Sequence, residues 1–127
     1  VWNYVYNHIN FFFFFDCLNT ASVNIFHIHL GYLKDCLYEI PELKTMVIAR
    51  QNGATLKLIG IFSLKELSFN QLIKFLPFKN VKKIEFAFTP HFSDLDYKMQ
   101  EYKGEPFFVR NINCDLGDIK FPELSIT

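Results

Sequence analysis

The sequence predicts an α+β fold, a mostly antiparallel sheet with two short helices packed on it, and three observations carry that prediction. Asn52-Gly53 stands between two apolar runs, the strongest short-range hairpin signal, because both central residues of a type I′ turn need positive φ. Ser68 and Gln71 form a Ser-x-x-Gln capping box ahead of Leu72, Ile73, Phe75 and Leu76. Residues 81–88 alternate, with Ile84, Phe86 and Phe88 on one face and Lys83, Glu85 and Ala87 on the other.

A chain of 127 residues is long enough for one domain that buries roughly two-thirds of its unfolded surface. Half of it is hydrophobic and 18% is aromatic, which excludes disorder over most of its length. The 13 basic and 13 acidic side chains cancel, and no Lys/Arg run stands out, so nothing marks a nucleic-acid partner. Cys17, Cys36 and Cys114 are too widely spaced for a disulfide framework or a CxxC metal pair, and they fit a reducing cytoplasm.

Charge divides the chain in two. Residues 1–30 carry one charged side chain, Asp16, together with nine aromatics and five asparagines, whereas residues 31–127 carry the rest of the charge. Residues 11–15 are all phenylalanine, but Asn7, His8 and Asn10 precede them and Asp16, Asn19 and Thr20 follow. That apolar core is far short of the about 20 residues of a spanning helix, and no Lys or Arg precedes Lys34 to make the basic start that a secretory signal would require. The expectation is therefore an aromatic strand of a truncated domain, or sequence foreign to the original fold, rather than a membrane element. A first residue of Val instead of Met fits a fragment. Two units are expected: an aromatic, charge-poor segment over 1–30 and an α+β lobe over 31–127.

Within the second unit, Tyr32, Leu33, Cys36, Leu37 and Ile40 recur at three- and four-residue spacings, predicting a helix that Pro41 ends. Met46-Val47-Ile48-Ala49 begins a strand, and residues 55–62 return from the turn with Leu56, Leu58 and Gly60 on one face and Lys57, Ile59 and Ile61 on the other. A short helix follows the capping box and stops at Pro77, and a strand over 81–88 is broken by Thr89-Pro90. Residues 91–105 read as a loop, 106–110 as a last strand and 118–127 as a tail.

Candidate chemistry is sparse. His27-x-His29 on an alternating segment would put two imidazoles on one strand face, about 7 Å apart, but no third ligand lies near and no metal site is expected. His91, with Asp94 and Asp96 following, has the makings of a loop general base. Cys36 sits on the apolar face and reads as a buried structural thiol, while Glu39 and Glu42 flank Pro41 as solvated carboxylates. Arg50-Gln51-Asn52-Gly53-Ala54-Thr55 has the outline of an Arg-x-x-Gly-x-Gly/Ala pyrophosphate cradle. It fails because its last position is Thr and it lies in a hairpin rather than at a strand-to-helix junction.

Five longer stretches fit together in order and spacing. They are Tyr32-Leu33-Lys34-Asp35-Cys36-Leu37-Tyr38-Glu39-Ile40-Pro41-Glu42-Leu43 with Val47-Ile48-Ala49, Leu76-Pro77-Phe78, Phe86-Ala87-Phe88-Thr89-Pro90, Phe107-Phe108-Val109-Arg110, and the closing Phe121-Pro122-Glu123-Leu124-Ser125. Together they resemble the C-terminal part of bacterial GNAT-family N-acetyltransferases over residues 30–127. The resemblance implies a partial GNAT-like lobe and transfer of an acetyl group from acetyl-CoA, the family's co-substrate, to a primary amine of a small molecule or peptide. In that mechanism a neutral amine attacks the thioester and a general acid, often a tyrosine, protonates the departing thiolate.

The family's acetyl-CoA cradle, backbone N–H groups at a helix N-terminus, belongs upstream of the matching residues, and residues 1–30 contain no Arg or Gln to supply it. No catalytic or cofactor-binding residue carries over. Tyr38 and Tyr102 are chemically able to act as a general acid, but neither lies in a matched catalytic motif. The competing expectation is a non-catalytic interaction or substrate-binding module that self-associates through exposed sheet edge and apolar surface.

Overall fold

The structure, a computed structural model, describes residues 2–7, 24–26, 28–32, 35–96 and 98. Its centre is a four-stranded sheet in which β1 (Leu37–Ile40), β2 (Thr45–Asn52), β3 (Thr55–Ser63) and β4 (Lys83–Phe86) lie side by side in chain order. The first three strands run antiparallel, and β4 joins β3 in parallel after a crossover through helix α2 (Phe69–Phe75). Helix α1 (Trp2–Asn7), a helical piece at 24–26 and a π-type turn at Ile28–Tyr32 precede the sheet. The chain is thus α+β with a mixed sheet. Among the described residues no helix is long and apolar enough to cross a membrane.

Of the residues 32–40 expected as a helix, Leu37–Ile40 form strand β1 instead, paired with β2 from Leu37↔Ile48 to Ile40↔Thr45. The reason is burial on both faces. Leu37 packs against one core cluster and Ile40 lies in the other, so the apolar positions lose the two-residue alternation that would have marked a strand. Pro41 opens a single tight turn, Pro41–Leu43, and Lys44 takes the left-handed conformation at φ 49° with its N–H on the Pro41 carbonyl, 3.1 Å away. That corner reverses the chain into β2.

The β2–β3 hairpin forms where expected, with its turn one residue later. Asn52 pairs with Thr55, leaving Gly53 and Ala54 as the loop, and of these only Gly53 has positive φ, +61°. A type I′ turn would need two such residues, whereas a II′ turn needs one, at the first position, which Gly fills without steric cost. A bulge then shifts the register: Ile48 faces Gly60, but Ala49 faces Leu58, so Ile59 is the extra residue. The expected face assignment fails from there on. Leu56, Leu58 and Ile61 join one core cluster, while Ile59 and Phe62 join the other.

Both sheet faces are therefore buried, each under its own layer. One cluster joins Val47, Ala49, Leu56, Leu58 and Ile61 to Phe69, Leu72 and Leu76 of the α2 region and to Phe88 and Phe92. The other joins Met46, Ile48, Ile59, Phe62 and Ala87 to Val5, Ile25, Ile28 and Cys36. Described parts of the aromatic N-terminal segment thus share a core with the hairpin. The strand expected over 81–88 is shorter, β4 at Lys83–Phe86: Ile84 and Phe86 pack inward, as does Phe88 beyond the strand, and Lys83 and Glu85 are exposed, but Ala87, expected on their face, is buried in the second cluster. The strand expected at 106–110, the tail at 118–127, most of the loop after 96 and the phenylalanine run lie outside the described residues.

Candidate functional site

Helix α2 is where the fold concentrates its polar geometry. A helix leaves its first N–H groups without intrahelical acceptors, and an anion placed there is held by those donors and by the helix dipole. The capping box meets part of this need: Gln71 N–H donates to Ser68 Oγ at 3.2 Å, and Ser68 N–H donates to Gln71 Oε1 at 2.9 Å. The two donors left over, Phe69 N–H and Asn70 N–H, both go to the Asp94 carboxylate, to Oδ1 and Oδ2 respectively, each at 3.0 Å. Leu72 N–H then closes on the Ser68 carbonyl at 3.2 Å. The whole first turn is satisfied from within the chain, and one of its acceptors is a full negative charge.

The Asn70 and Phe69 amides, in that order, hold the Asp94 carboxyl below the usual carboxylate range. A group so committed is a weak base, and the loop reading of His91 with Asp94 and Asp96 loses its central member: Asp94 ties the loop to α2 instead. His91 and Asp96 are both exposed.

The remaining sequence candidates are dispersed. Tyr38 stacks edge-on against Phe78 with ring centroids 5.1 Å apart, and Tyr102 lies outside the described residues. Glu39 accepts the Tyr4 hydroxyl at 2.9 Å; desolvation first, and Glu39 second, hold that hydroxyl above its ordinary range. Glu42 is exposed, and Cys36 is a buried free thiol, as expected of a structural cysteine. His29 is exposed on the π-type turn next to buried Ile28, so the strand alternation assumed for His27-x-His29 does not exist there; His27 lies outside the described residues. No group of three or more His, Cys, Asp or Glu side chains suited to a metal occurs among the described residues. Arg50 to Thr55 forms the hairpin turn, with Gln51 Nε2 donating to the carbonyls of Gly53 and Lys79 at 3.0 and 2.7 Å.

Sequence reasoning also passed over a buried hydroxyl pair. Ser63 Oγ donates to the Lys65 carbonyl at 2.6 Å and accepts from Lys65 N–H, and Thr45 Oγ1 lies 2.8 Å from it and 2.9 Å from the Leu43 carbonyl. Both residues are fully buried, and the pair fastens the open end of the hairpin to the two corners beside it. Thr45↔Ser63 is the first rung of the ladder, a polar pair inside an apolar run, which is the signal that would have found it.

No protein-family model matches the chain, and no curated protein or solved structure matches it either.

Proposed function

We propose that this chain is a cytoplasmic, non-catalytic lobe of the GNAT acetyltransferase type, a substrate-side or interaction module in which another portion of an enzyme would supply the acetyl-CoA site. The ordered segments between Tyr32 and Ser125 support the family part of the reading. One observation carries the non-catalytic part. A pyrophosphate cradle needs backbone N–H groups at a helix N-terminus that are open to a ligand anion. Within the matching stretch, the N–H groups that open α2 are held by Asp94 and the capping box, so α2 offers no such cradle and the acetyl-CoA site would have to come from another portion. The free, buried thiol of Cys36 agrees with a reducing compartment.

The competing reading is a competent N-acetyltransferase that moves acetyl from acetyl-CoA to a primary amine. A thermal-unfolding titration separates the two. An acetyl-CoA site with a dissociation constant of ~10 μM would stabilise the fold by roughly 2.7 kcal/mol at ~1 mM ligand. The lobe reading expects no change in melting temperature with acetyl-CoA and no thiol release with amine acceptors. A saturable rise in melting temperature overturns it in favour of the enzyme.

A further inference from the structure

We propose that the open edge of β1 pairs, antiparallel and in one defined register, with β1 of a second copy of this chain. This stands on the sheet geometry alone and holds or fails independently of the acetyltransferase reading. In the sheet of described strands β1 is terminal, hydrogen-bonded on one side to β2. Ala49 N–H donates to the Cys36 carbonyl at 2.9 Å, which makes Cys36 and Ala49 a hydrogen-bonded pair. Alternation then makes Tyr38↔Val47 and Ile40↔Thr45 hydrogen-bonded pairs as well. The N–H and C=O groups of Leu37 and Glu39 therefore point away from β2, into the open edge.

Three two-fold registers are available to those groups, and charge and covalent structure reject two of them. Pairing Leu37 with its own copy sets Asp35 against Glu39, two carboxylates face to face. Pairing Glu39 with its own copy opposes like charges directly and asks for an N–H from Pro41, which has none. Pairing Leu37 with Glu39 of the second copy, and Glu39 with its Leu37, satisfies all four outward groups of each strand. It also opposes each carboxylate to an apolar side chain. Tyr38 then meets Tyr38 of the second copy on the two-fold axis, as a non-hydrogen-bonded pair with Cα atoms about 4.5 Å apart. Each Tyr38 already packs edge-on against Phe78, so the axis gathers four rings. A surface that is complementary to itself in one register, on a chain of zero net charge, fits a second copy better than an unrelated strand.

Sedimentation equilibrium on the full chain, with Cys17 and Cys114 replaced by Ser, tests the association. A concentration-dependent monomer–dimer equilibrium is expected, with Glu39→Pro weakening it at least tenfold by removing an outward donor. Because Glu39→Pro could disturb the fold, the register is read separately by oxidation. Tyr38→Cys places two thiols at a separation a disulfide spans, about 4.4–6.8 Å between Cα atoms, and should cross-link in non-reducing electrophoresis. Glu39→Cys, opposite Leu37 rather than itself, should not. A chain that stays monomeric throughout overturns the proposal, and so does a dimer in which Tyr38→Cys fails to cross-link or Glu39→Cys cross-links equally well.

Discussion

Tyr4 donates its hydroxyl hydrogen to Glu39 Oε1 across 2.9 Å, joining helix α1 to strand β1 over 35 residues of chain. Just beneath it, Val5 packs with Ile28, Met46 and Ile48 in one apolar cluster. Val5, Ile25 and Ile28, from the described pieces of the charge-poor segment, thus cover a sheet face that would otherwise present Met46, Ile48, Ile59 and Phe62 to water.

Ile28→Ala measures whether that layer folds with the sheet. Ile28 is fully buried, so removing three carbons should cost about 2–5 kcal/mol if the cluster forms as one cooperative unit. Urea unfolding monitored by far-ultraviolet circular dichroism gives the number. A loss below ~0.5 kcal/mol, the size of an ordinary surface substitution, would show that the first thirty residues fold apart from the rest. Tyr4→Phe, at a partly exposed site, should cost no more than about 1 kcal/mol.

Asp94 gives the pH dependence its sign. Its carboxyl titrates below the ordinary Asp value of 3.8 in the folded chain, because the Asn70 and Phe69 amides favour the charged form. The unfolded chain then binds the proton more readily, and the group's contribution to stability is complete above 3.8 and disappears as pH falls through the lower, folded value. Asp94→Asn should therefore lower the unfolding midpoint at pH 6 and have a shrinking effect as the solution is acidified below pH 4. A difference between the two proteins that stays constant from pH 6 to pH 2 would mean that the carboxylate charge is not what holds the loop to α2.

The hairpin, the capping box and the β4 faces were legible in the sequence because each is a local pattern: two residues at a turn, four at a cap, alternation along the strand. The strand at Leu37–Ile40 was not, because apolar residues on both of its faces produce the same spacings as a helical stripe. Nor was the bulge at Ile59, since Leu58 to Phe62 is apolar throughout apart from Gly60, and a one-residue slip in such a run leaves the pattern unchanged. The anion at α2 was hidden for a different reason. The capping box announces that two further donors need an acceptor, but Asp94 lies 25 residues from Phe69 and nothing local selects it over Asp96.

Gly53→Ala tests the turn assignment. A Cβ there would meet nothing within 4 Å, so the substitution isolates the cost of holding a non-glycine residue at φ +61°. That cost is about 1–2 kcal/mol, read from the urea midpoint, whereas Gly53→Asn should recover part of it because Asn tolerates left-handed backbone. Asn52→Ala should be nearly neutral, since Asn52 lies in the ladder opposite Thr55 and not at a positive-φ position. Equal losses at 52 and 53 would restore the type I′ turn that the sequence suggested.

The cap of α2 is best tested as a pair. Ser68 and Gln71 satisfy each other's backbone N–H, so removing either leaves one donor to water and also frees the other side chain. Ser68→Ala should cost about 1 kcal/mol and Gln71→Ala somewhat less. The double variant should cost less than the sum, by roughly 0.5 kcal/mol or more, because the second substitution removes a contact the first has already loosened. Strict additivity would mean the two bonds form independently. If the pair couples, helix α2 begins at Ser68 through its own sequence, and Asp94 positions the loop on a helix that is already formed. If it does not, the Asp94 carboxylate is the acceptor that holds the first turn together, and Asp94→Asn should then unwind α2 as well as release the loop, seen as lost amide-exchange protection at Leu72 and Ile73.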